Sequence, residues 1–440
     1  MLYKIILDND NNGRVYLPKD FNNDLKHETS SFSKISAGLK ECNIQSFTDS
    51  TLNSDIIKIS NDLMSNLSIP QVLLYQIQCK DKTIKLGPVI GLLLGKKNVN
   101  IEKKLEKYLP YTFLCNKNGG LLYVFSLDGI NYDNQLIKGF FFNAQTFSWE
   151  KATLPFPQSI FRRINLSKNT IKKLQTATGG RMFNSNYFDK WKFWNVAYKY
   201  PQLAKHLPYT KLLKSISDID NMFKSYATLF LKPAAGTLGR GLVQVVKNKN
   251  QYVFKERDIK KPIITYNKEM AIKYVGEIKQ NRSKYIVQQF IDLLKFEDRY
   301  ADFRVIMQKD NTMKWQCTGI VVSMGEPDGI CSNYPGSIYF SFEDFFSQYL
   351  TLSEVEVSQK KHEIITLCTR VCEVLDVEMG NYGDVGIDIG IDRSLKPWIF
   401  EVNKKHFHMV PTLIDDYTSY LNVKRNPIKY AISLSGFDII

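Results

Sequence analysis

The stretch from Gly386 to Asn403 constrains this chain more than any other part of it. It reads Gly386-Ile387-Asp388-Ile389-Gly390-Ile391-Asp392, then Arg393 to Lys396, then Pro397-Trp398-Ile399-Phe400-Glu401-Val402-Asn403. A four-residue loop is a common hairpin length. It pairs Asp392 with Pro397, Ile389 with Phe400 and Asp388 with Glu401. Side chains alternate between the two faces of a strand, so Ile387, Ile389 and Ile391 lie opposite Val402, Phe400 and Trp398 on one apolar face. The other face sets Asp388 across from Glu401, with Asn403 beside it and Gly386 opposite Asn403. Like charges paired across a sheet are destabilising, and a cation is expected to offset them. Three oxygen ligands on one rigid face suit a Mg²⁺ ion that also holds phosphates. A solvated polar face is the bland alternative, and the hairpin by itself leaves it open.

Two further stretches carry chemistry. In Leu231-Lys232-Pro233-Ala234-Ala235-Gly236-Thr237-Leu238-Gly239-Arg240-Gly241 a strand runs into a loop with three glycines, a hydroxyl and a cation beyond Lys232. Glycines let backbone N–H groups close on phosphate oxygens, and lysine adds a point charge. The Gly-Lys-Ser/Thr ending of a Walker A motif is missing. In Ala301-Asp302-Phe303-Arg304-Val305 alternation puts Asp302 and Arg304 on one face. A guanidinium there suits a phosphate or acyl phosphate, and a plain Arg–Asp surface pair is the competing account.

Composition narrows the partners. The 59 lysines and arginines against 44 aspartates and glutamates give a net charge of +15 across 440 residues. Such an excess favours an anionic partner, but the lysines are dispersed, so a phosphate-rich cleft is expected and nucleic acid is not. The seven cysteines contain no C-x-x-C pair, and Cys368 and Cys372 sit among apolar residues as packing rather than as metal ligands. No apolar run approaches the ~20 residues that cross a bilayer, and residues 1–10 lack the apolar core of a secretory signal. A cytoplasmic protein with no membrane partner is expected; homo-oligomerisation is left open.

Texture divides the chain. Residues 1–84 read as a β-rich module, with strands over Leu2 to Leu7 and Arg14 to Leu17 and a helix over Ser60 to Leu67 capped by Ser60. Residues 85–165 read as a small α/β domain beginning with the compact run Pro88 to Leu94. The longer elements of 166–425 include a helix over Asp189 to Lys199, a strand over Thr228 to Pro233, another over Ile286 to Ile291, a hairpin of Phe303 to Gln308 with Trp315 to Val322, and a helix over Gln359 to Asp376. Residues 426–440 read as a C-terminal tail.

The order and spacing of these signals, with Lys190 in Phe188-Asp189-Lys190-Trp191 upstream, resemble the ATP-grasp superfamily, most closely its YheC/YheD-type branch, described as endospore coat-associated. The match takes in Leu86-Gly87-Pro88-Val89-Ile90-Gly91, Phe183-Asn184, Leu207-Pro208-Tyr209-Thr210, Thr318-Gly319, Gly386-Ile387-Asp388 and Glu401-Val402-Asn403. The resemblance implies an α/β (α+β) architecture: an ATP-grasp fold preceded by a small α/β domain and the β-rich module. It implies ATP and Mg²⁺ as cofactors, with Lys190 and Lys232 on the phosphates and Gly236, Thr237, Gly239, Arg240 and Gly241 closing over them. The segment Gln288, Gln289, Phe290 and Ile291 would read adenine through its backbone, and Glu297 or Asp292 would hold the ribose. Asp388, Glu401 and Asn403 would be the Mg²⁺ ligands, Arg304 would face the transferred phosphoryl group, and Asn333, Gly336 and Ser337 would lie on the substrate side. The implied activity is ligation of a small-molecule or peptide carboxylate to an amine through an acyl phosphate. A nucleotide-binding assembly protein and a small-molecule kinase are the alternatives. Relatives usually carry Arg where Ser323 stands, and after Asn403 a small residue and Pro where this chain has Lys404-Lys405-His406. Lys405, on the face of Glu401 and Asn403, is the candidate substitute cation.

Overall fold

The computed structural model describes residues 1–21, 31–236, 239–257, 263–280, 284–330, 332, 336–350 and 352–440. Their strands form four sheets, one eight-stranded and three six-stranded. The first is mixed and holds the strands from Leu2–Asp8 to Thr83–Gly87. Ser60 stands at the N-cap of the helix Asn61–Leu67 as expected, but its hydroxyl does not cap that helix; it accepts from the Arg14 N–H at 3.2 Å.

The second sheet is ordered Ser148–Pro155, Leu136–Asn143, Leu121–Asn131, Val89–Gly95, Ser159–Arg162, Met182–Phe183. Its central strand explains the unbroken run of apolar residues there. Val89 and Leu93 pack toward the first sheet with Tyr3, Ile5 and Phe156. Ile90 and Leu92 pack the opposite way against Tyr111, Ile428, Ala431 and Phe437. A strand covered on both faces has no polar side to alternate with.

The outer cover of that second face is the helix Tyr417–Leu434, which runs through residue 426, where the C-terminal tail was expected to begin. Pro427 lies inside it. A proline has no N–H for the carbonyl four residues back, and that carbonyl, on Val423, instead accepts from Gln308 Nε2 at 2.9 Å.

The third and fourth sheets are antiparallel and frame the cleft. The third runs Thr210–Leu212, Tyr285–Gln289, Thr228–Pro233, Val243–Asn248, Gln251–Glu256, Ile264–Tyr266. The fourth runs Ile338–Ser341, Trp315–Met324, Arg299–Lys309, Asp384–Ile391, Pro397–Asn403, with Lys295–Phe296 beside Arg299–Lys309. One face of the fourth sheet is core: Phe303, Val305, Ile387, Ile389, Ile399 and Val402 pack on the helix Glu354–Glu378, whose Cys368 and Cys372 are fully buried there. That helix opens on a capping box of Ser353 and Glu356, which satisfies two terminal N–H groups at once. The opposite face looks into the cleft.

The hairpin register holds at Gly386–Asn403, Ile387–Val402 and Asp388–Glu401, then slips by one, so that Ile389 faces Ile399 and Ile391 faces Pro397. The expected pairs Ile389–Phe400 and Asp392–Pro397 do not form, because Phe400 is the extra residue of a β-bulge. A bulge leaves its extra residue unpaired and re-aims the side chain. Phe400 leaves the apolar face and enters the cleft, taking the space over Gly390, where a Cβ would collide with its ring.

Candidate functional site

Between the third and fourth sheets lies a cleft of about 580 Å³, within the range of small-molecule sites. One end is apolar, walled by Phe230, Phe290, Ile291, Leu293, Tyr300 and Phe400. The other end is charged, and Lys190, Lys232, Arg304, Asp388, Glu401 and Asn403 meet there. Lys232 comes from the third sheet. Its ammonium donates to Gln288 Oε1 at 2.6 Å and stands 5.3 Å from the Phe400 ring of the facing sheet. Lys190 begins the helix Lys190–Ala197, which Asp189 caps by accepting from the Lys192 N–H at 2.8 Å. From that position the Lys190 ammonium donates to Glu401 Oε1 at 2.8 Å and to the Gly236 carbonyl at 3.1 Å.

The two facing carboxylates are not left to repel each other. Asp388 accepts from Arg304 through both oxygens and from Asn403 Nδ2 at 3.0 Å, while Glu401 is matched by Lys190. Two protein cations, Lys190 and Arg304, already offset the pair. Asp388→Asn should lower the stability of the nucleotide-free protein by ~1–3 kcal/mol, because a charge-assisted pair is lost and Arg304 keeps its charge. Equal or higher stability in a chemical denaturation series would contradict this.

The glycine loop turns as its composition requires. Gly239 and Gly241 have φ of +62° and +80°, and a Cβ on Gly241 would stand 2.7 Å from the Tyr285 hydroxyl. Gly236, Gly239 and Arg240 line the cleft, and Thr237 lies outside the described residues. In the adenine segment Phe290 and Ile291 line the apolar end, but the Gln289 and Phe290 N–H groups donate to Tyr209 and Thr228 carbonyls at 2.8 and 3.2 Å. Gln288 and Gln289 serve through side chains, Gln288 on Lys232 and Gln289 by accepting from the Tyr209 N–H at 3.1 Å.

Glu297 is exposed at the tip of the turn joining Lys295–Phe296 to Arg299–Lys309 and does not line the cleft. Asp292 does not line it either and pairs with Arg393 at 3.0 Å. Asn333 lies outside the described residues; Gly336 and Ser337 are not among the described residues that line the cleft, and the Ser337 hydroxyl donates to the carbonyl of Ser332, which does line it, at 2.7 Å. Lys405 is exposed and lines the cleft. Ser323 donates to Asp302 at 2.7 Å, and Ser332 donates to the other oxygen of the same carboxyl. Burial, with Asp388 nearby, pushes the Asp302 carboxyl up to about 6.

On the same sheet face as Asp388, beyond Gly386, lies a second polar cluster. Asp384 is fully buried at the start of its strand and accepts from His406 Nε2 at 2.8 Å, His408 Nε2 at 2.9 Å, Gln308 Nε2 at 2.7 Å and Arg163 Nη1 at 3.0 Å. Tyr111 completes it on His408 Nδ1 at 2.7 Å. Burial pushes the Asp384 carboxyl up, but the His408 and His406 contacts hold it well below the usual range, and burial lowers both histidines. Asp384, His406 and His408 present ligand atoms within 4.8 Å of one another. The Arg163 guanidinium already occupies that centre as its cation, against both Asp384 and the His408 ring. The cluster fixes the segment that follows Asn403. Alternation offered a signal for it, since Asp384 shares a face with Gly386 and Asp388.

A family model described as YheC/D like ATP-grasp matches residues 179–434. The chain belongs to this ATP-grasp family. Endospore coat-associated protein YheD of Bacillus subtilis (strain 168) is 26% identical over 396 residues, covering 84% of this chain and 86% of that protein. Endospore coat-associated protein YheC of the same organism is 20% identical over 291 residues, covering 63% and 78%. The D-alanine–D-alanine ligase of Bacillus anthracis is 11% identical with a TM-score of 0.46, covering 79% of this chain and 98% of that one. That last likeness is too loose to bear on function. The family match spans the glycine loop, Lys190, Lys232 and the whole metal-face hairpin. Among the described residues no helix is long and apolar enough to cross a membrane.

Proposed function

We propose that the protein is an ATP-dependent ligase that activates a carboxylate as its acyl phosphate and joins it to an amine. The observation that supports this best is the convergence of Lys190, Lys232, Arg304, Asp388, Glu401 and Asn403 on one end of a single cleft. The donor set fits Mg²⁺: two carboxylates and an amide on adjacent strands, with the Asn403 nitrogen engaged by Asp388 so that its oxygen is the atom left for a cation. Held by Asp388, Glu401 and Asn403, Mg²⁺ would supply neutralisation of the phosphate charge during transfer.

The chain's own groups account for the rest. Phe290, Ile291, Leu293 and Phe400 offer the base an apolar slot, with Phe400 delivered by its bulge. Lys190 and Lys232 hold phosphates from two sides. Arg304 is positioned by Asp388 to face the γ-phosphoryl group, and such fixed charges cost no reorganisation during reaction. Lys405 replaces the cation that Ser323 does not supply. Asp302, with its pKa near 6, suits acceptance of a proton from the attacking amine at neutral pH.

The test is ADP release with pooled carboxylates and amines. Lys405→Ala should leave Mg-ATP affinity nearly unchanged and slow ADP release on the order of 100-fold or more, because its contact forms mainly in the transition state. No stimulation by any carboxylate and amine pair, or normal turnover in Lys405→Ala, would sink this assignment. A second reading, a nucleotide-binding assembly protein without turnover, draws on the coat association in the names of YheD and YheC and on Ser323, which lies hydrogen-bonded to Asp302 with no cation of its own. Binding of Mg-ATP without ADP release would favour it. The ligase reading places the protein where ATP is available, in the cytoplasm.

A further inference from the structure

We propose that the acceptor substrate carries a second anionic group, a carboxylate or a phosphate, which docks in a side pocket walled by Arg162, Tyr187, Lys404 and Lys405. The proposal rests on the ligase reading for the word acceptor; the anion site itself rests on the pocket. That pocket, of about 280 Å³, opens off the charged end of the cleft and shares Lys190, Gly236, Glu401, Asn403 and Lys405 with it. An acceptor could therefore present one carboxylate to the metal face and a second anion to the side.

The wall charges are unbalanced in a specific way. Lys190 is matched by Glu401, and Arg163 by Asp384. Asp189, the remaining acid of the wall, caps its helix. Arg162, Lys404 and Lys405 have no carboxylate within ion-pair distance among the described residues.

Arg162 is 4% exposed, and only its Nη2 has a partner, the Asn186 carbonyl at 3.2 Å. Its Nε and Nη1 have none among the described residues. Buried donors left unmade are costly, and a buried charge without a counter-ion more so. Lys404 donates to the Phe188 carbonyl and lies 4.1 and 4.5 Å from the Phe188 and Tyr187 rings. Both groups therefore pay in stability for cations held beside the reacting centre, and an anion would satisfy both.

The test is calorimetric titration of the full chain with propionate, glutarate and inorganic phosphate, each with Mg²⁺ and a non-hydrolysable ATP analogue present. Glutarate or phosphate should bind at least 10-fold more tightly than propionate, and which of the two does so identifies the anion. Lys404→Met, a near-isosteric change, and Arg162→Gln should each remove that preference, with analogue affinity retained in the lysine variant. Equal binding of all three probes, or a preference that survives Lys404→Met, overturns the proposal. Glutarate-driven ADP release that is unchanged in Lys404→Met overturns it too, while leaving the ligase reading intact. A preference that the two variants abolish, without ADP release from any acceptor, establishes the anion site and removes the ligase reading instead.

Discussion

Asp384→Ala is expected to destabilise the protein by about 3–5 kcal/mol, the usual cost of stripping one partner from a buried ion pair. The carboxylate is fully buried and takes hydrogen bonds from Arg163, Gln308, His406 and His408. Its removal leaves a guanidinium and three donors facing an empty space. Domains have ~5–15 kcal/mol in total, so the first unfolding transition should move by many degrees. A loss below about 1 kcal/mol would show that water replaces the carboxylate. The same cluster sets a pH dependence. His406 and His408 are both lowered by burial, so below about pH 6.5 the unfolded chain binds more protons than the folded one. Stability should therefore fall as pH drops from about 6.5 toward the depressed folded values, at up to ~1.4 kcal/mol per unit for each histidine. His408→Gln should flatten part of that limb in melts at pH 7 and 5.5; an unchanged slope would argue that the ring is not neutral in the fold.

Millimolar Mg-ATP is expected to raise the melting temperature, by the equivalent of ~2.7 kcal/mol where the ligand stands at a hundred times its dissociation constant. Lys232→Ala should remove most of that rise. Its ammonium is held by Gln288 between the Phe230 and Phe400 rings, at the junction of the apolar and charged ends. Glu401→Gln should instead remove the dependence on Mg²⁺, since it takes away a metal ligand and frees Lys190. The two variants separate the phosphate and metal contributions when melts are run with ATP alone and with Mg-ATP. If Glu401→Gln keeps the full Mg²⁺ effect, the polar hairpin face is a solvated surface and no more. If the unmutated protein shows no shift at all, nucleotide binding itself is excluded.

What sequence could reveal followed the reach of local rules. Alternation placed Asp302, Arg304, Asp388, Glu401 and Asn403 on the cleft face, because a strand with one buried side has only one register that works. It could not anticipate the bulge at Phe400, whose mark is a glycine on the neighbouring strand, at Gly390, and not anything in Pro397 to Asn403 itself. The Asp384 cluster escaped for a different reason. Its partners Tyr111 and Arg163 come from the second sheet and its surroundings, far away in sequence, and no periodicity links them to His406 and His408. Arg162 read as one basic residue among many; only burial without partners distinguishes it. The helix Tyr417–Leu434 was hidden by Pro427, which normally stops a helix, and by the absence from view of Gln308, which meets the carbonyl that Pro427 leaves open.

That last helix also bears on how the chain is made. The sheet it covers has its final strand at Met182–Phe183, and the covering residues Ile428, Ala431 and Phe437 come more than two hundred residues later. Ribosomes add ~5–20 residues per second, so Ile90, Leu92, Phe161 and Phe183 wait on the order of 10–50 s for the helix that shields them. During that interval the nascent chain carries an aromatic and aliphatic sheet face covered in part, around Tyr111, beside a first sheet that already has its core residues in place. Yield in cells should then follow the supply of chaperones that hold emerging chains, and slower translation of the region between the second sheet and the last helix would lengthen the exposure.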